Sequence, residues 1–154
     1  MSVVVAVDGS EASTRAARAG LELLGDVSDA VIVTVVDAGD PMEVSGTGMA
    51  GGTISADAFD ERERVRATEG SAIVSNAAGA LGMPDAETRV LRGEPAAMLC
   101  ELAASLSARA IVIGSRGHGA IKRAFLGSVS DYVVRNAPCP VVVTGEPDDD
   151  GVSD

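Results

Sequence analysis

Residues 110–131 read AIVIGSRGHGAIKRAFLGSVSD, and this stretch carries the strongest structural signal in the chain. It opens with the apolar run Ala110–Ile113, which is typical of a buried strand. GSRG follows at 114–117 and GS at 127–128, a spacing written G-x2-G-x9-G-S. Ser128-Val129-Ser130-Asp131 then has the character of a helix start. The stretch therefore predicts a strand, a glycine-rich connection and a helix.

Glycines at a strand end allow backbone amides to approach a ligand without interference from a Cβ atom. A helix amino terminus adds free N–H donors and a partial positive charge. Together these features predict an anion cradle, most simply one for phosphate.

Outward from this stretch, strand-like and helix-like segments alternate along the chain. The predicted strands are 3–7, 30–36, 87–92, 110–113 and 141–144. The predicted helices are 11–24 after an N-cap at Ser10, 57–80, a helix opening at Pro95, and 128–136. This alternation predicts an α/β fold built on an open parallel sheet.

Composition is consistent with one domain, expected over residues 1–145. Of the 154 residues, 46% are hydrophobic but only 2% aromatic, so the core must consist mainly of Val, Ala, Leu and Ile. Such a core suits a parallel sheet covered by helices. The Gly- and Met-containing stretch 38–56 predicts a long mobile loop, and the acidic segment 146–154 predicts a disordered tail.

The formal net charge is −11, with eleven Arg and one Lys, Lys122. An acidic surface repels nucleic acids and anionic membranes, so neither is an expected partner. No apolar stretch approaches the roughly 20 residues that span a bilayer, and no signal peptide is recognisable. A soluble, cytoplasmic protein is expected. The acidity suits either a salt-adapted organism or an acidic protein from a GC-rich genome.

Two cysteines, Cys100 and Cys139, form no C-x-x-C motif and no Cys/His cluster. We interpret both as structural thiols.

Ligands of open α/β sheets bind beyond the carboxyl ends of the strands, where the winding reverses. Asp8 follows the first strand, Val35–Asp37 end the second, and Gly114 follows the fourth. If the first and fourth strands are neighbours, Asp8 lies opposite the anion cradle and can bind ribose hydroxyls or Mg²⁺. The alternative is that Asp8 only stabilises the turn Asp8-Gly9-Ser10.

Other polar residues of the motif also have two interpretations. Ser128-x-x-Asp131 resembles a capping box, which would engage the Ser128 hydroxyl with the backbone. Arg116, Lys122 and Arg123 either attract phosphate or are simply solvated. His118 has no nucleophile motif beside it.

Several enzyme signatures are absent from the sequence. It contains no G-x-x-x-x-G-K-[ST] phosphate loop, and no G-x-G-x-x-G follows the first strand. No paired carboxylates or metal-ligand cluster indicate a hydrolase. No catalytic residue is therefore predicted, and enzymatic activity stays open.

The whole pattern resembles the universal stress protein family over nearly the entire chain. The G-x2-G-x9-G-S motif in its strand context is the most specific match. The other matching segments are Val3–Ser10, Val33–Asp37, Gly93-Glu94-Pro95 and Pro138–Val143.

The resemblance implies a five-stranded parallel sheet in the order 3-2-1-4-5, with helices on both faces, as in Rossmann-like and adenine nucleotide alpha hydrolase-like folds. It also implies ATP binding, because members that keep these glycines bind ATP; AMP, ADP or a cyclic nucleotide stays open. Asp8 and Val35 would face the adenosine, and Asp8 is the candidate Mg²⁺ ligand. Ribose and phosphates would be surrounded by Ile113, Gly114, Arg116, Gly117, Gly127, Ser128 and Val129.

The family also implies a homodimer through the last strand. Val141-Val142-Val143 is apolar, yet the implied order places it at a sheet edge, where an uncovered strand invites pairing. The expected function is a nucleotide-dependent regulator of a stress response. A slow Mg²⁺-dependent ATPase and a nucleotide-independent chaperone or interaction module are the alternatives.

Overall fold

A computed structural model describes residues 1–36, 55–115 and 127–145 of the chain. Strands and helices alternate along it as the sequence predicts. The strands are β1 Val3–Ala6, β2 Ala30–Val36, β3 Glu87–Arg92, β4 Ala110–Gly114 and β5 Val141–Thr144. The helices are α1 Glu11–Leu24, α2 Ala56–Ala80, α3 Pro95–Ser105 and α4 Ser128–Asn136.

The strands form one parallel sheet in the order β3-β2-β1-β4-β5, which confirms the predicted fold. Val5 of β1 pairs with Ile32 of β2 on one side and with Val112 of β4 on the other. The chain thus winds outward to β3 and returns across β1 to β4. This reversal makes the carboxyl ends of β1 and β4 the switch point of the sheet.

The two faces of the sheet carry separate apolar cores. Val5, Ile32 and Val112 face α1 and α2 in a core that also contains Ala17 and Val74. On the opposite face the core lies under α3 and α4, and its buried members include Val4, Val33, Leu99, Ile111 and Val133. Because successive strand residues point to opposite faces, the uninterrupted Val and Ile runs supply both cores.

The helix α1 lies unusually close to the sheet at Gly20. A Cβ atom on Gly20 would lie 2.4 Å from Cγ1 of Val112, well inside van der Waals contact. Only a glycine at this position permits the observed approach of α1 to β4.

Three segment boundaries differ from the predictions. β1 ends at Ala6, one residue early, β4 ends at Gly114, one residue late, and α2 begins at Ala56 after the N-cap Ser55, one residue early. Ser55 and Ala56, at the end of the predicted loop 38–56, are therefore the N-cap and first residue of α2, while residues 38–54 and the predicted tail 146–154 lie outside the described residues.

The two sheet edges have different surfaces. Most of β3 is exposed, and its Arg92 pairs with Glu63 of α2. Val141–Thr144 of β5 are all half-buried, and within the described ranges only β4 pairs with this strand. Both edge positions agree with the predictions.

Cys100 and Cys139 are free, half-buried thiols that pack against the core beneath α3 and α4. Within the described ranges, no helix combines the length and the apolar character needed to cross a bilayer.

Candidate functional site

The candidate site lies at the carboxyl edge of the sheet, where β1 and β4 end side by side. Their parallel register runs to Val5 and Val112, so the segments that follow both strands emerge at the same edge. Asp8 follows β1, and Gly114 is the last residue of β4. The prediction that the first and fourth strands, which carry Asp8 and Gly114 at their carboxyl ends, are neighbours is confirmed.

The Asp8 carboxylate is held against the start of α1. Its Oδ1 atom accepts hydrogen bonds from the Ser10 amide at 2.9 Å and from the Ser10 hydroxyl at 2.6 Å. The Asp8 amide donates to the hydroxyl of buried Ser13 at 3.2 Å. Asp8 therefore stabilises the turn Asp8-Gly9-Ser10, and the same bonds fix its carboxylate at the switch point.

Gly9 permits this turn, because its φ of +89° lies in the left-handed region that L side chains rarely adopt. Ser10 also caps α1, since its hydroxyl accepts from the Ser13 amide at 3.1 Å. One serine therefore positions both the helix and the Asp8 carboxylate.

On the other side of the switch point, α4 begins without a side-chain cap. Its N-cap is Gly127, which has no side-chain acceptor, and Ser128 is the first helical residue. The capping-box interpretation of Ser128 is therefore wrong, because that residue already lies one position inside the helix. The Ser130 hydroxyl instead donates to the Gly127 carbonyl at 3.0 Å.

The start of α4 has the properties of an anion site. The first amides of a helix have no acceptor within the helix. At the start of α4, no N-cap side chain supplies an acceptor for the amides of Ser128 and Val129. In α1, α2 and α3 the N-cap side chain accepts such a bond. An anion at α4 would meet amides for which the described residues supply no side-chain cap, and the positive end of the helix dipole.

Ser115 joins the two described parts of the glycine motif. Its carbonyl accepts from the Gly127 amide at 2.8 Å, and its amide donates to the Thr144 carbonyl at 2.8 Å. These bonds place the amino terminus of α4 directly beside the end of β4. Gly114 and Gly127 thus come together as the motif predicts.

The apolar residues predicted for the site belong to the core beneath α3 and α4 or pack against it. Ile113 is buried in the core beneath α3 and α4, and half-buried Val35 and Val129 pack against that core. Their described contacts are those of core residues. Arg116 and Gly117, like His118, Lys122 and Arg123, lie outside the described residues.

The sequence analysis did not identify four residues that hold the site through the hydrogen bonds described above. They are Ser13, Ser115, Ser130 and Thr144. Short polar residues carry no signature that separates such a role from solvation. Ser10 was detectable because an Asp-Gly-Ser turn before a helix predicts a cap. Within residues 1–36, 55–115 and 127–145, no group of three or more His, Cys, Asp or Glu side chains forms a metal site.

A separate groove of about 440 Å³ lies between α1 and α2. Its lining includes Thr14, Arg18, Ile73 and Asn76, and it reaches the Asp8 turn only through Gly9 and Ser10. None of the predicted site residues within the described ranges lines this groove.

Relatives and solved structures agree with this architecture. The model of the universal stress protein family matches residues 1–145. Universal stress protein YxiE of Bacillus subtilis is 32% identical over 145 residues, which covers 92% of this chain and 96% of the relative. A Thermus aquaticus universal stress protein is 36% identical over 85 residues, which covers 55% of this chain and 62% of the relative's length.

Among solved structures, UspA of Lactobacillus plantarum superposes with a TM-score of 0.71 at 22% identity, covering 94% of this chain and 97% of that one. A universal stress protein in complex with cAMP gives 0.59 at 25% identity, with coverages of 94% and 95%. An Arabidopsis thaliana family protein with AMP bound gives 0.57 at 21% identity, with coverages of 100% and 97%. From its sequence, its sheet order and these matches, the chain belongs to the universal stress protein family.

Proposed function

We propose that this chain binds an adenine nucleotide at the carboxyl edge between β1 and β4, and acts as a nucleotide-dependent regulatory homodimer. The observation that carries the proposal is the start of α4. It has no side-chain cap, and the bond from the Gly127 amide to the Ser115 carbonyl holds it beside β4. That arrangement suits a phosphate group.

The chain as a whole is acidic, with a net charge of −11, so a bound anion requires local compensation. The first-turn amides of α4 and the hydroxyl of exposed Ser128 supply such donors. Arg116 and Gly117 are proposed to complete the phosphate contacts. ATP is the proposed nucleotide because the chain keeps the G-x2-G-x9-G-S motif that the family resemblance links to ATP, and AMP or a cyclic nucleotide is the alternative.

Asp8 and Val35 are proposed to contact the adenosine. The Ser10 hydrogen bonds hold the Asp8 carboxylate in place before a ligand arrives, so little side-chain entropy is lost on binding. A carboxylate at this edge can accept hydrogen bonds from ribose hydroxyls. The relative that binds cAMP, at 25% identity, supports an adenine nucleotide as the ligand.

Mg²⁺ is a compatible companion of the nucleotide. Magnesium in nucleotide sites takes one or two carboxylates, and phosphate and water oxygens complete its octahedron. Asp8 fits that requirement as a single carboxylate, and no dedicated protein cage exists within the described ranges. Asp8 would supply the protein ligand, and the ion would neutralise phosphate charge.

The homodimer is proposed to form through β5. Its residues Val141–Val143 are half-buried in the monomer, and within the described structure β4 is their one pairing partner. Pairing with a second copy across a two-fold axis would satisfy the backbone groups on the outer side of the strand.

Slow Mg²⁺-dependent ATP hydrolysis is the second candidate, and the Asp8 carboxylate at the switch point favours it. The test is phosphate release by the wild type and by Asp8→Asn. Asparagine keeps the Oδ1 acceptor for Ser10 but removes the charge. Equal rates in both proteins would eliminate Asp8-held magnesium as the cause of hydrolysis.

Thermal unfolding tests the binding proposal, at one fixed salt concentration throughout. ATP–Mg²⁺ at 100 times its Kd stabilises the native state by about 2.7 kcal/mol, which corresponds to about 5–10 °C in Tm for a chain of this size. Gly127→Val should abolish the shift, because the proposal places the phosphates against the backbone at Gly127, where a branched side chain would crowd them.

The Gly127 backbone itself tolerates valine, since its φ is −57° and its ψ is 156°. Gly79→Val is the matched control, because a Cβ at that exposed helical position meets nothing within 4 Å. A shift that survives in Gly127→Val would place the nucleotide elsewhere. No shift in the wild type would refute nucleotide binding.

A further inference from the structure

We propose that Thr144, the last residue of β5, is a positioning residue that holds the anion-binding end of the site and couples it to the β5 edge. This inference rests on the proposed function, because it concerns the same nucleotide site. It adds a residue outside the G-x2-G-x9-G-S motif. It also gives a route by which nucleotide binding affects β5, the edge strand proposed to form the homodimer.

The first link is a chain of two backbone hydrogen bonds. The Gly127 amide donates to the Ser115 carbonyl at 2.8 Å, and the Ser115 amide donates to the Thr144 carbonyl at 2.8 Å. The amino terminus of α4 is therefore tied through a single residue to the end of β5. A displacement of Gly127 acts on Ser115 and so on the edge strand.

The second link is the Thr144 side chain. Its hydroxyl donates to the carbonyl of Ala16, in α1, at 2.6 Å across 128 residues of sequence. α1 is the helix whose N-cap, Ser10, holds the Asp8 carboxylate. Thr144 thus joins the phosphate side of the site to the helix that carries its carboxylate side.

The junction around Ser115 is closely packed, so it transmits movement instead of absorbing it. A Cβ on Gly145 would lie 3.0 Å from Oγ of Ser115, tighter than ordinary van der Waals contact. A nucleotide that fixes Gly127 therefore also fixes Ser115 and the end of β5. Because coupling between binding equilibria is reciprocal, pairing through β5 raises nucleotide affinity by the same factor.

The test compares Thr144→Val with Thr88→Val. Valine keeps the shape of threonine but removes the hydroxyl that reaches Ala16. Thr88 is an exposed residue of β3, at the opposite edge of the sheet, and serves as the matched control. ATP affinity is measured by calorimetry at protein concentrations below and above the self-association midpoint found by sedimentation.

Loss of one hydrogen bond that positions the site predicts about fivefold weaker ATP binding in Thr144→Val. Thr88→Val should bind as the wild type does. The wild-type affinity should rise with self-association, whereas that of Thr144→Val should depend on it much less. A purely structural role for Thr144 would lower Tm without changing this concentration dependence.

The outcomes separate the two proposals. If the wild type binds no adenine nucleotide, the proposed function fails. If the wild type binds but Thr144→Val and Thr88→Val behave alike, the coupling is refuted while nucleotide binding stands.

If Thr144→Val does not fold, amide hydrogen exchange of the wild type tests the coupling between the nucleotide site and β5 instead. ATP should then slow exchange at the Ser115 amide and leave the amides of β3 unchanged. Unchanged exchange at Ser115 in the presence of bound ATP would overturn the inference.

Discussion

Replacing Gly20 by alanine tests the packing that sets α1 against the sheet. The added Cβ would lie 2.4 Å from Cγ1 of Val112 and 3.4 Å from its Cγ2. Optimal carbon contacts lie at about 3.5–4.0 Å, so helix and strand must separate by about 1 Å. Val112 is fully buried and β-branched, which leaves it little freedom to turn aside.

The expected change in the free energy of unfolding of Gly20→Ala is the balance of two opposing contributions. Overpacking a core by one methyl group costs about 1–3 kcal/mol, whereas glycine to alanine within a helix gains up to about 1 kcal/mol. Gly79→Ala isolates the second term, because a Cβ there meets nothing within 4 Å. Gly20→Ala should therefore be about 1–3 kcal/mol less stable than Gly79→Ala.

Urea unfolding of both variants at constant salt measures this difference, with unchanged m-values as the check that only stability has changed. Equal free energies of unfolding for Gly20→Ala and Gly79→Ala would refute the close approach of α1 to β4.

Two further predictions concern Ser10 and the cysteines. Ser10→Ala should lower the unfolding free energy by about 1–2 kcal/mol and weaken nucleotide binding, since it removes the α1 cap and the hydroxyl hydrogen bond to the Asp8 carboxylate. Ser55→Ala, which removes only the α2 cap, should leave binding unchanged in calorimetry. Burial raises the pKa of Cys100 and of Cys139, and negative charge at Glu94 and at Cys100 respectively adds to it. Raised folded-state pKa values give stability that is present below the ordinary thiol pKa and lost as pH rises through the folded values. Urea unfolding from neutral to alkaline pH should show this loss, and Cys100→Ala/Cys139→Ala should show less of it; an identical pH dependence would contradict the assignment.

The fold was largely predictable from sequence because its strands are uninterrupted apolar runs. Runs such as 30–36 and 110–113 supply both faces of a parallel sheet, and clear helix signals separate them. The strand order came from the resemblance to the family, since local patterns do not determine which strands become neighbours. The exposed Arg89 and Arg92 suit the edge position that the implied strand order gave to β3.

The candidate site was predictable only in part. The glycine spacing located the start of α4, but the Ser128-x-x-Asp131 pattern misplaced the N-cap by one residue. A serine one position inside a helix and a serine at its cap look alike in sequence, and backbone geometry alone separates them. Ser115 and Thr144 were missed because their site contacts run through backbone groups or through a partner 128 residues away.

The central claim is that phosphate groups bind at the amino terminus of α4, and amide NMR shifts during a titration with ATP–Mg²⁺ test it most directly. We predict saturable shifts at Gly127, Ser128 and Val129, together with Asp8, and almost none along Glu87–Arg92 of β3. Shifts confined to the groove residues Thr14, Ile73 and Asn76, or no shifts at saturating nucleotide, would contradict the claim.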